Sequence, residues 1–321
     1  MVSASAWVAT ACRLGLFPVS TALVLSSPAK LNLTLAVVGR RADGFHELVS
    51  LVSPLALADT LTVMPGPDGT ASLTCDDPTL PVDASNLVLR AEQAFRAVSG
   101  WTGGVHFHLE KRIPRGAGLG GGSSNATTAL RALDRLAGTR LSASVRAGLA
   151  AQLGSDCPLF LADGPVLMRG RGERIEPVAA AVARRLSGRP VWLFKPAWGI
   201  ETPWAFRRLA ALGATAYERP DEAEAALARW LADPAAPLRA LPGNTLERVA
   251  FGKYLALPAL AEQVREELEL DVRMSGSGSC CFAFAPDGVP APRLAAVTEA
   301  LRARVFAAWG AEAFFAATRL A

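Results

Sequence analysis

Apolar residues dominate from Leu23 to Val38, with β-branched ones recurring, and the polar break Ser26-Ser27-Pro28-Ala29-Lys30 predicts two short strands or one bent strand. Asp43-Gly44 reads as a turn. Thr60 to Met64 and Ala71 to Thr74 read as strands on either side of the turn-rich Pro65-Gly66-Pro67-Asp68-Gly69. The spacing of apolar residues predicts a helix over Asn86 to Val98, followed by a strand at Val105 to Leu109. A second helix is predicted over Ala126 to Ala137, with Ser123, Ser124 or Asn125 able to cap it, and a third over Ser144 to Leu153, ending at Gly154. From about Leu167, strands such as Val191 to Phe194 and Cys281 to Ala285 alternate with helices rich in Ala, Arg and Glu. The mixture lacks the regular βαβ period of a doubly wound parallel sheet, so the predicted class is α+β. No internal repeat of fixed period is visible.

Composition narrows the setting. The 321 residues, 51% hydrophobic and 19% charged, suit two globular domains and exclude a wholly disordered chain. No uncharged run reaches the roughly 18 apolar residues of a spanning helix; the longest candidate, Leu14 to Leu25, contains Pro18. The residues up to about Val24 lack the charged start of a secretory signal. The expectation is a disordered extension over residues 1–22, or a start codon placed too early. Lys and Arg number 33 against 29 Asp and Glu, a modest excess without a basic block, so neither nucleic acid nor membrane is expected as a partner. The five cysteines, Cys12, Cys75, Cys157, Cys280 and Cys281, form no C-x-x-C pair, which suggests a reducing cytoplasm and no zinc site. Oligomeric state is not readable from the sequence.

The strongest local signal is Pro114-Arg115-Gly116-Ala117-Gly118-Leu119-Gly120-Gly121-Gly122-Ser123-Ser124-Asn125, five glycines and two serines opening a helix. Glycines let successive N–H groups converge, and a helix start adds partial positive charge, so a polyphosphate is the natural occupant. The alternative is a flexible linker. No Gly-Lys-Ser/Thr follows, which excludes a Walker A loop. Gly116, Gly118 and Gly121 satisfy G-x-G-x-x-G formally, but the βαβ context of a dinucleotide fold is missing. A second cluster, Met274-Ser275-Gly276-Ser277-Gly278-Ser279, leads into an apolar strand. His106 and His108 alternate on one strand face, read as a partly exposed surface rather than a metal pair.

Together with Ser27-Pro28-Ala29-Lys30-Leu31-Asn32-Leu33, these two clusters resemble the GHMP kinase superfamily, small-molecule kinases that bind ATP on a Gly/Ser-rich loop. Arg41-Ala42-Asp43-Gly44-Phe45-His46 and Leu153-Gly154-Ser155-Asp156-Cys157-Pro158 bring the resemblance closer, to the branch that phosphorylates the 2-hydroxyl of a diphosphocytidyl-methylerythritol in the non-mevalonate isoprenoid route. The resemblance runs from about Leu23 to the C-terminus. It implies a two-domain fold: residues 23–168 as an ATP-binding domain like ribosomal protein S5 domain 2, and residues 169–321 as a ferredoxin-like substrate domain. It implies Asp156 as the base and Lys30 as the charge that assists it. It implies ATP contacts from Asn86, Lys111, Pro114, Gly116, Gly118, Leu119, Gly120, Gly121, Gly122, Ser123 and Ser124. Asn32, His46, Thr202, Gly276 and Gly278 carry over to the substrate side, and Phe45 and Phe206 to a sandwich around cytosine, where the family commonly has tyrosine at position 45. Aromatic stacking of this kind is worth roughly 1–3 kcal/mol per base. Magnesium accompanies ATP, held mainly by phosphate oxygens and water, with Ser124 the one protein contact suggested. The rival readings are another GHMP kinase acting on homoserine, mevalonate or a sugar, a dinucleotide-binding oxidoreductase, and an RNA-binding module prompted by the isoelectric point near 9.0.

Overall fold

The computed structural model describes residues 22–286 and 288–321. Residues 1–21, on which the extension and Cys12 fall, lie outside the described residues. Strands and helices follow in the order β1 (Leu23–Asn32), β2 (Ala36–Arg40), β3 (His46–Gly66), β4 (Ala71–Cys75), α1 (Leu87–Ser99), β5 (Gly104–Glu110), α2 (Gly121–Ala137) and α3 (Ala143–Leu153). After a 3-10 turn at Pro158–Leu161 come β6 (Val166–Gly170), β7 (Arg174–Pro177), α4 (Ala180–Leu186), β8 (Pro190–Lys195), α5 (Thr202–Ala211) and α6 (Pro220–Ala232). The chain closes with α7 (Glu247–Lys253), α8 (Ala256–Leu268), β9 (Val272–Met274), β10 (Cys281–Phe284), α9 (Ala291–Trp309) and β11 (Phe314–Arg319). The α+β class expected from the pattern is the one observed.

Two compact units share these elements, and both are discontinuous in sequence. Of the described residues, one holds 22–29, Leu57–Ile113 and Gly120–Asp163; the other holds Lys30–Ala56, Pro114–Leu119 and those from Gly164 to Ala321.

In the first unit, β4 and β5 run parallel, Ala71 opposite Val105 through Cys75 opposite Leu109, and α1 makes the crossover between them. The last residues of β3 run antiparallel to β5, Thr60 opposite Glu110 through Gly66 opposite Gly104. Strand alternation turns Leu61, Val63, Val105, Phe107 and Leu109 to one face, where they join Phe95 of α1 and Leu130 and Leu133 of α2 in the core. Burial of each such side chain is worth about 1.5–3 kcal/mol. Helix α1 starts because Asn86 leaves the helix in extended backbone and its side chain accepts from Val88 N at 3.0 Å. Helix α2 differs from expectation at its start. It begins at Gly121, not Ala126, and its cap is Gly120 in the left-handed region (φ 69°), with no side-chain capping bond. Weak helix formers occupy that first turn, so surrounding contacts, described below, hold it.

In the second unit, β2 and β6 both pair antiparallel with the first half of β3, Ala36 opposite Val49 and Leu48 opposite Gly170. A separate antiparallel sheet has the order β11-β8-β10-β9. Numbered from β8, that is fourth, first, third, second, the arrangement of a ferredoxin-like fold. Trp192, Leu193, Phe194 and Phe282 of its two central strands are buried.

Candidate active site

The start of α2 is built around a carboxylate. Asp59, in β3, is completely buried. One of its oxygens accepts from the backbone N–H groups of Arg112 (2.7 Å) and Ile113 (2.9 Å); the other accepts from Asn125 Nδ2 (2.9 Å) and from the Lys111 ammonium. Asn125 Nδ2 also donates to Ser27 Oγ at 2.9 Å, and Ser27 Oγ donates to Ser124 Oγ at 2.9 Å. A buried charge is tolerated only when paired and hydrogen-bonded, and here every bond made by Asp59 ties the approach to the glycine loop onto the first turn of the helix. Ser124 N donates to Gly120 O; the amides of Gly121, Gly122 and Ser123 precede it and have no acceptor within the helix. N–H groups without helical acceptors, at the positive end of a helix, are suited to a phosphate.

Asp156 belongs to the same unit, on the turn between α3 and the 3-10 segment, and is partly exposed. Its turn is pinned to α2. Thr127 Oγ1 donates to Cys157 O at 2.9 Å, and a Cβ on Gly154 would lie 3.5 Å from Cys157 Sγ and 4.0 Å from Ser123 Oγ. The Cys157 thiol is buried in the core, and burial raises its pKa despite hydrogen bonds from its neighbours. It therefore packs as a small hydrophobe rather than serving as a nucleophile, as do Cys280, whose pKa burial pushes up to about 12, and Cys281. Asn86 and Lys111 have structural bonds of their own: the Asn86 amide donates to Pro81 O at 2.7 Å, and the Lys111 ammonium faces Asp59 and Asn125. Leu87, next after Asn86, would touch a Cβ on Gly122 at 3.5 Å.

The second unit gathers Lys30, Asn32 and both glycine clusters. Lys30 N donates to Leu119 O at 2.9 Å, and the buried Lys30 ammonium donates to Asn32 Oδ1. Asn32 N donates to Ser275 Oγ at 3.3 Å, and Ser275 Oγ donates to Gly118 O at 3.2 Å. The two loops touch through backbone. A Cβ at Gly118 (φ 70°) would come within 2.2 Å of Ser275 O, and one at Gly199 within 2.8 Å of Gly116 O. Gly118 is therefore required by contact as well as by conformation. Thr202 Oγ1 lies 2.7 Å from Ser277 Oγ, which joins the start of α5 to the same loop.

His46 and Phe206 also meet, with ring centroids 4.9 Å apart, and Tyr217 adds its ring at 5.8 Å and its hydroxyl at 3.4 Å from His46 Nε2. Burial, with Arg40 nearby, lowers the His46 pKa, so the ring stays neutral below its ordinary range. Phe45 is 48% exposed and its ring lies 5.0 Å under the Arg171 guanidinium. His106 and His108 hydrogen-bond with the hydroxyls of Ser72 and Thr74. Among the described residues no group of three or more His, Cys, Asp or Glu side chains could hold a metal ion.

Comparison with known proteins gives the family. The GHMP kinases N terminal domain matches residues 86–164, and the GHMP kinases C terminal domain matches residues 223–303. A 4-diphosphocytidyl-2-C-methyl-D-erythritol kinase of Synechococcus sp. (strain CC9902) is 40% identical over 304 residues, 89% of this chain and 95% of that protein. One from Protochlamydia amoebophila (strain UWE25) is 37% identical over 83% of this chain and 86% of its own length. The chain belongs to the 4-diphosphocytidyl-2-C-methyl-D-erythritol kinase family of GHMP kinases. A crystal structure of 4-(cytidine 5'-diphospho)-2C-methyl-D-erythritol kinase is 36% identical, with a TM-score of 0.72 over 93% of this chain and all of that one. Homoserine kinase from Cytophaga hutchinsonii, 17% identical with a TM-score of 0.69 over 94% of this chain and 95% of its own, shares the fold. Asp59, Tyr217 and the Ser275 hydroxyl are not among the residues expected from the sequence. A lone carboxylate inside the apolar run Leu57-Ala58-Asp59-Thr60-Leu61 was the available signal for the first; nothing marked Tyr217.

Proposed function

We propose that this kinase transfers the γ-phosphoryl group of ATP to the 2-hydroxyl of 4-diphosphocytidyl-2-C-methyl-D-erythritol, supplying the non-mevalonate isoprenoid route in the cytoplasm. The observation that carries the nucleotide half is the start of α2: three amides without helical acceptors, presented by Gly120 and fixed from behind by the Asp59 network. The acceptor half is supported by the identity with relatives of that name over most of the chain.

Phosphoryl transfer asks for positioning and for stabilisation of charge spread over the moving group. Residues 114–124 cradle the phosphates, with Asn86 and Lys111 toward the nucleotide. Asp156 accepts the proton of the attacking hydroxyl, and Lys30 favours the alkoxide and the transferring phosphoryl. Asn32, His46, Thr202, Gly276 and Gly278 contact the acceptor, whose cytosine stacks on Phe45 and Phe206. In this reading residues 23–168 form the ATP-binding domain and residues 169–321 the substrate domain. Magnesium enters as part of the MgATP substrate. The hydroxyl of Ser124 already accepts from Ser27, so phosphate oxygens and water supply most of the ligands.

The test is magnesium-dependent ADP release by purified protein with the cytidine alcohol, homoserine, mevalonate, galactose or no acceptor. Stimulation by the cytidine alcohol alone is expected; stimulation by another acceptor instead would overturn the substrate assignment.

A further inference from the structure

The second glycine loop closes on itself through two backbone bonds, Ser275 N to Cys280 O and Gly278 N to Ser275 O, at 2.9 Å each. Gly276 and Gly278 both lie in the left-handed region, and the serines between and around them bring little bulk, so those two bonds leave the loop to be held from outside as well. Asn244, 9% exposed, does so with its side-chain amide, donating to Met274 O and to Gly276 O at 2.8 Å each. Its Oδ1 accepts from Leu246 N at 2.9 Å, so the amide cannot turn without losing all three bonds. Glu247 completes the hold: a carboxylate oxygen accepts from Met274 N at 2.8 Å. Met274 is thus gripped by its N–H and its C=O together.

The residues that grip are themselves anchored. Leu35 N donates to Gly243 O at 3.0 Å and Thr245 N donates to Leu35 O at 2.8 Å, a bridge that brackets Asn244. Thr245 Oγ1 accepts from Val37 N at 3.1 Å. Leu35 is three residues beyond Asn32, and the loop returns to that same stretch: a Cβ on Gly276 would stand 3.3 Å from Asn32 Oδ1 and 3.4 Å from Lys30 Nζ. A closed circuit therefore runs from Lys30 and Asn32 through residues 35–37 and 243–247 to the loop and back.

The geometry points to Asn244 and Glu247 as positioning residues for phosphoryl transfer, acting through loop 275–278 to fix the surroundings of the Lys30 ammonium. This rests on the proposed function in taking Lys30 to act on the transferring group. Misplacement of a catalytic group by about 1 Å costs on the order of a hundredfold in rate, and the loop has no other side-chain grip at Met274 and Gly276 among those described. A residue that merely stabilises the fold would lower the amount of active protein and leave its rate constants alone.

The experiment compares wild type with Asn244→Ala and Glu247→Ala, varying ATP and acceptor separately, alongside thermal midpoints and amide hydrogen exchange of residues 275–279. In folded Asn244→Ala, kcat falls roughly tenfold to a hundredfold while KM for ATP stays within about twofold, and the loop amides exchange faster. Glu247→Gln, which still offers an oxygen to Met274 N, recovers most of the turnover lost in Glu247→Ala. Wild-type kcat in folded Asn244→Ala, or a raised KM for ATP with kcat unchanged, overturns the proposal. If Asn244→Ala does not fold, Asn244→Ser and Glu247→Ala are read by the same criteria. A wild type that turns over no acceptor refutes the proposed function instead; loop exchange then decides alone, and unchanged protection in the variants removes the clamp.

Discussion

Glu247→Gln separates the charge of this residue from its hydrogen bond. The carboxyl sits half-buried on the wall of a cavity of about 560 Å³, with Met274 N as its donor. Burial raises its pKa from 4.5 to about 7, against the opposing effects of the Met274 bond and the Arg273 charge. A raised folded-state pKa means that the native protein binds a proton the unfolded chain releases. The contribution of this group is therefore fully present below pH 4.5 and is lost as pH rises through about 7. At about 1.4 kcal/mol per pH unit the loss amounts to about 3 kcal/mol, a ceiling because the carboxyl is only half-buried. Glutamine keeps the shape and the acceptor oxygen but never ionises. Urea unfolding of both proteins at pH 5, 6, 7 and 8 should show the variant little changed at pH 5. At pH 8 it should be more stable than wild type by up to about 3 kcal/mol. A stability difference that does not vary with pH, or a variant less stable at pH 8, would refute the reasoning.

Four further outcomes are expected. Asp156→Asn should lose at least about a thousandfold in kcat while ATP affinity, read by titration calorimetry, is retained; near-normal turnover removes its role as base. Phe206→Ala should raise KM for the cytidine acceptor about tenfold and, by opening the contact with His46, move the imidazole midpoint in an NMR titration back toward 6.5; an unmoved midpoint means that Phe206 does not desolvate the ring. Asp59→Ala should cost about 3–5 kcal/mol in denaturant unfolding, because it leaves the Lys111 ammonium without its counter-ion; a cost below 1 kcal/mol would show that the network is not holding the helix start. Gly118→Ala should lower the thermal midpoint sharply, since the new Cβ meets Ser275 O at 2.2 Å, whereas Gly122→Ala, 3.5 Å from its nearest neighbour, should leave it unchanged or raised; equal effects would contradict the contact between the loops.

What the sequence made legible was whatever a local pattern controls. The first helix is predicted to within a residue from its apolar spacing, and what bounds it also lies in the chain itself: Asn86 caps it and Gly100, in the left-handed region, ends it. The start of α2 was placed five residues late for a physical reason: glycine and serine are poor helix formers, and the turn Gly121–Ser124 exists through bonds from Asp59, more than 60 residues earlier. The first half of β3, residues 46–59, escaped for a related reason. Buried on many of its positions, with Ser50, Ser53 and Pro54 interrupting the apolar run, it shows no two-residue alternation, and its residues 46–52 are made a strand by β2 and β6. The first glycine cluster carries the expectation of a phosphate in its own composition, yet its joining to the second through Gly118 and Ser275 is a contact across 157 positions. The same division runs through the proposed chemistry. The loop residues are candidates through their own glycine composition, and Lys30 and Asp156 through the resemblance of the motifs around them, whereas Asp59, Tyr217, Asn244 and Glu247 bond to groups far along the chain, and only the fold reveals which group each one meets.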